Sequence, residues 1–103
     1  MGVRVIEPTE EMEEAFEDAS APCCGCGDTR AGLVAVLAIV ERDRSDANGL
    51  MRAAAAARRI ADRYDEKGKD RSRADWRMWT AMGAGARMVA VRLTELADAE
   101  GRP

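Results

Sequence analysis

In four separate stretches of this chain the apolar side chains return every third or fourth position. That is the repeat of one face of an α-helix, and a backbone carrying it buries its apolar side by coiling into rods that stack together. The fold class expected is all-α: a small four-helix arrangement ending in an antiparallel helical hairpin. A length of 103 residues fits a single helical domain. Much of the 47% apolar content is alanine, beside only two Trp, one Tyr and one Phe. Thin, closely packed helix interfaces are therefore expected rather than a wide ligand cavity.

Residues 1–8 read as an arm outside the rods. Residues 9–20 form an acidic helix, with Thr9 placed to cap it and Glu10, Glu11, Glu13 and Glu14 where the helix dipole favours negative charge. Met12, Ala15, Phe16 and Ala19 make its apolar stripe, and Pro22 ends it. A Cys- and Gly-rich loop takes residues 21–28. Asp28 is a cap for a second helix over residues 29–44, with Leu33, Val36, Leu37 and Val40 inward and Val34 and Ile39 widening the apolar face to nearly every side. A helix that apolar belongs at the centre of a fold or in an interface.

Residues 45–49 read as a turn by composition. Residues 50–100 form the hairpin. Its first arm runs from Leu50 to Lys67 and is closed by Gly68; the second starts at a Ser72-x-x-Asp75 capping box and ends near Glu100. Its stripe is Trp76, Trp79, Gly83, Ala86, Ala90, Leu93 and Ala97. Gly83 and Gly85 each cost a helix interior roughly 1 kcal/mol against alanine. They are expected to admit a neighbouring helix at the level of the alanines 53–57.

The net charge of −3 hides a division along the chain: residues 1–28 carry eight acids against Arg4, and residues 29–103 carry fifteen bases against eleven acids. No run approaches the ~20 apolar residues that cross a bilayer. The opening Met1-Gly2-Val3-Arg4-Val5-Ile6 lacks a hydrophobic signal region, and a cytoplasmic location is expected. Catalysis has little to work with. There is no histidine, no serine elbow and no glycine loop for phosphate, so the protein is not expected to be an enzyme.

Three constellations are candidate sites. Cys23, Cys24 and Cys26, with Asp28 as a fourth donor, form a thiol cluster on a glycine-rich loop of the kind that wraps a soft metal such as zinc. Three thiols with no histidine fall short of a closed zinc site, so free thiols and no cofactor are the leading expectation. The second is basic: Arg52, Arg58, Arg59, Lys67, Lys69, Arg71 and Arg73 lie near Tyr64, Trp76 and Trp79, a composition that grips the phosphates of nucleic acid or an acidic protein partner. Interspersed acids such as Asp62, Asp65, Glu66 and Asp70 equally suit a solvated, ion-paired surface. The third is the acidic helix, which could dock on a partner or fold back over the basic hairpin and mask it. Phe16, Val34, Ile39, Trp76 and Trp79 are the candidates for contact with another protein.

The run Glu7-Pro8-Thr9-Glu10-Glu11-Met12-Glu13-Glu14-Ala15-Phe16, then Arg30-Ala31 through Val36-Leu37, resembles small helical hypothetical proteins of actinobacterial phages. The stretch from Ala61-Asp62-Arg63-Tyr64 to Leu93 shares their alanine, arginine and tryptophan texture. The thiol cluster is outside the resemblance. What it implies is a phage origin, a place in the host cytoplasm, and action by binding host or virion proteins. The function expected is a non-enzymatic helical interaction module that also self-associates as a homo-oligomer, without a membrane. The alternatives are a nucleic-acid-binding regulator using the basic hairpin and a cysteine-cluster metal protein.

Overall fold

A computed structural model describes residues 9–20, 29–43 and 47–100. It is all-α over those residues, in the order α1 (Glu10–Ser20), α2 (Thr29–Arg42), α3 (Ala47–Lys69) and α4 (Trp76–Glu100). Thr9 caps α1 as its sequence suggests, accepting from the Met12 amide on Oγ1 at 3.2 Å. The molecule measures 48 × 27 × 22 Å, its long axis set by the two long helices.

α3 and α4 form the expected antiparallel hairpin. Gly68 stands against Thr80, Gly83 against Ala61, and Arg58 reaches Thr94. In this register the glycines lie one to two turns beyond the alanines 53–57, which run toward the C-terminal end of α4. The expected pairing of Gly83 and Gly85 with that alanine run is therefore corrected. Gly83 admits Asp65 and the Ala61 carbonyl of α3, and Gly85 faces the Thr29 side chain of α2. Nor does Gly68 end α3. The helix continues to Lys69, and a Cβ on Gly68 would lie 3.0 Å from the Thr80 backbone nitrogen, so this glycine serves helix approach.

Other boundaries shift for local reasons. Residues 47–49 join α3, and Gly49 and Leu50 are buried in its first turn. The Ser72-x-x-Asp75 box does not cap α4. Ser72 donates its amide and hydroxyl to Asp70 Oδ1 at 3.1 and 2.5 Å, tightening the turn, while Asp75 accepts from the Trp79 indole Nε1 at 2.8 Å.

α1 and α2 pack antiparallel beside the hairpin. Phe16, fully buried, lays its ring on Gly32, where a Cβ would come within 2.9 Å. That contact rotates α2 away from the expected face: Gly32, Val36, Ile39 and Val40 are buried, while Leu33 and Leu37 are only half-buried. The most apolar helix is thus not the most enclosed one. α3 is, with Ala53, Ala54, Ala56, Ala57, Ile60 and Ala61 wholly inaccessible, because alanine lets neighbouring backbones approach from both sides.

Candidate functional site

Where α1 crosses α3, Glu13 sits 9% exposed. Arg63 donates to its Oε1 at 2.7 Å and to Glu17 Oε2 at 2.8 Å, and Arg59 lies 3.9 Å from Glu13 Oε2. These side chains, with Glu10, Glu14 and Asp18, line an open cleft of about 540 Å³. Three further acids crowd two arginines there, so the cleft is electronegative and the two cations are already held. Deeper in, Ser20 Oγ and Tyr64 Oη share a buried hydrogen bond of 2.6 Å. Burial pushes the Tyr64 phenol above its usual range, and the bond to Ser20 offsets part of that.

The basic candidates are scattered over the hairpin, and six of the seven are engaged within the chain. Arg58 donates to Thr94 Oγ1 at 3.0 Å, and Arg59 faces Glu13. Lys67 Nζ lies 4.2 Å from the centroid of the Trp79 ring, and Lys69 donates to Glu66 at 2.8 Å. Arg71 stacks 3.8 Å over Trp76, and Arg73 pairs with Asp75 at 3.0 Å. The Arg73 pair and the indole bond hold the Asp75 carboxyl below the usual carboxylate range. Arg52 is exposed and makes no ion pair with a described residue.

The apolar candidates divide. Phe16, Ile39 and Trp79 are core residues, 0%, 9% and 7% exposed, so each is corrected from partner contact to internal packing. Their stripes fall on the same sides as the helix contacts, which sequence periodicity alone does not separate from an outer interface. Trp76 is half-buried, its ring covered by Arg71 and, at 5.2 Å, by Arg77. Val34 remains in solvent at 67%.

Two residues that the sequence reading passed over join it: Met88 is 72% exposed and Val91 56%. They lie three positions apart on the outer side of α4, so their side chains are neighbours. A second line of apolar residues, running with Ala81 and Ala84 opposite the core stripe, is the signal that could have found them.

The thiol cluster Cys23, Cys24 and Cys26 with Asp28 lies outside the described residues. Among the described residues no group of three or more Cys, Asp or Glu side chains is arranged to hold a metal ion, and no helix is long and apolar enough to cross a membrane. No protein-family model matches the chain, and no curated protein or solved structure is significantly similar to it.

Proposed function

We propose that this protein is a non-enzymatic helical interaction module that binds another protein through the outer side of α4, and that it self-associates through the same surface. One observation carries the reading: Met88 and Val91, adjacent on α4, are left in water although, among the described residues, three of the four aromatic side chains and most other large aliphatics pack inward. Burying a Val or Met side chain is worth roughly 1.5–3 kcal/mol, so a partner that covers both gains a substantial part of a binding energy. The absence of histidine and the engagement of most basic side chains support binding over catalysis and over phosphate recognition. The resemblance to phage proteins makes a host or virion protein the natural partner.

The test is a cross-linked pull-down from host lysate using the full chain as bait, beside the double variant Met88→Glu/Val91→Glu. Wild type is expected to enrich a defined protein or its own copies, and the variant to lose that enrichment while keeping its helicity by circular dichroism. Equal recovery by both baits would overturn the reading.

A further inference from the structure

Positions 77, 81, 84, 88, 91, 95 and 98 of α4 advance by four and three residues alternately, and all seven side chains are exposed. That spacing keeps one line of side chains facing a second helix along its whole length. Along the line the chemistry changes in order: Arg77 at one end, Ala81, Ala84, Met88 and Val91 in the middle, Glu95 and Asp98 at the other. A core stripe needs no such polarity, and α4 already has its core stripe on the opposite side.

The order is complementary to itself when reversed. Around a two-fold axis at the level of Ala86, Ala84 meets Met88 of a second copy, Ala81 meets Val91, and Arg77 meets Glu95. Each small residue faces a large one and Arg77 faces Glu95, the small-to-large alternation that fills a helix seam, while Asp98 lies beyond the paired positions. A parallel arrangement would instead set Met88 on Met88, Arg77 on Arg77 and Glu95 on Glu95. Arg87 flanks the axis and would approach its own counterpart, but it is already bound to Asp62 and Asp65, so little repulsion remains.

We infer that the occupant of the outer α4 face is a second copy of this chain, paired antiparallel as an isologous dimer. This rests on the interaction reading above and names the partner of its self-association. A seam of one helix per chain is small beside standard protein interfaces, so the dimer forms and dissociates with concentration.

Sedimentation equilibrium over a wide concentration range, with circular dichroism as a control for folding, tests the pairing. Wild type is expected to pass from monomer to dimer. Arg77→Glu faces Glu95 with a like charge and should weaken the dimer roughly tenfold or more; the double variant Arg77→Glu/Glu95→Arg should recover it. Met88→Glu should abolish it. In a parallel pairing residue 77 meets its own counterpart, so Arg77→Glu would exchange one like-charge contact for another and leave the dimer unweakened, which would overturn the geometry, as would a double variant no better than the single. A wild-type chain that stays monomeric throughout overturns self-pairing but leaves the interaction reading standing if the lysate capture is still lost in Met88→Glu/Val91→Glu. If that capture is indifferent as well, both fall.

Discussion

The two helical pairs of this molecule are held by different means. α3 and α4, with 23 and 25 residues, lie along one another with Gly68, Gly83 and Ala61 at the crossing points, so contact is spread over many small side chains. α1 and α2, with 11 and 14 residues, meet where the Phe16 ring lies on Gly32, with the larger side chains Met12, Val36, Ile39 and Val40 also buried, and share an exposed ion pair in which Arg42 donates to Glu11 at 2.6 Å. Small residues let backbones approach and distribute the energy. A single large one concentrates it, and what is concentrated is lost in one substitution.

The comparison is broken most sharply by Phe16→Ala. Removing a fully buried ring costs about 3–5 kcal/mol, against about 5–15 kcal/mol for the stability of an ordinary domain. Chemical denaturation should show that loss, and hydrogen exchange should show α1 and α2 opening ahead of the hairpin. A uniform rise in exchange over all four helices would mean that the two pairs are not separable.

Alanine at the glycines sharpens the contrast next. Gly68→Ala gains roughly 1 kcal/mol of helix propensity, but its Cβ meets the Thr80 backbone, which is not free to move. A net loss of about 1–3 kcal/mol is expected. Gly85→Ala meets only the Thr29 side chain, which can rotate, and should be near neutral or stabilising. Thermal melting of the two variants side by side checks the difference; equal melting temperatures would remove the argument from close approach.

The Ser20 and Tyr64 hydroxyls join α1 to the hairpin. Ser20→Ala leaves a buried phenol without its partner and should cost about 1–3 kcal/mol, whereas Ser20→Ala/Tyr64→Phe removes both polar groups and should cost less than the two single losses together. A strictly additive denaturation cycle would deny the coupling.

Smallest are the effects of pH. Because burial raises the Tyr64 phenol, the unfolded chain releases that proton first. The associated stability is whole below about pH 10 and is lost as pH rises from there through the folded value. Tyr64 is the only tyrosine, so absorbance reads its titration directly, and it should fall above that of a model phenol. Asp43, Asp70 and Asp75 are held low by Arg42, by Ser72 and by Arg73, respectively. Their contribution is present above about pH 4 and fades as pH falls through the folded values; Asp43 and Asp70 are solvent-exposed and Asp75 half-buried, so a shallow acid slope is expected in the melting temperature. A slope of the opposite sign would contradict those pairs.

Much of this architecture is legible in the order of residues. The repeat of three and four, the hydroxyl of Thr9 and the glutamates behind it announce α1 because capping and periodicity act within a turn or two of chain. The same local logic marks the hairpin. Its errors fall where a neighbour decides. Gly68 reads as a helix end and instead admits Thr80, Ser72 reads as a cap and instead closes a turn on Asp70, and α2 reads with Leu33 and Leu37 inward yet buries Gly32 and Ile39.

The candidate surface divides in the same way. Val34 could be named from the apolar girth of α2, and Met88 and Val91 from the second apolar line of α4, but that these three stay in water while Ile39 does not was decided by the packing. The set of helices follows from the order of residues, since hydrogen bonding and hydrophobic periodicity along a rod are local. Which face of each rod meets another, and so which apolar residues are left over for a partner, was decided by tertiary packing, because burial depends on residues far apart in the chain and on how closely alanine and glycine let their backbones come.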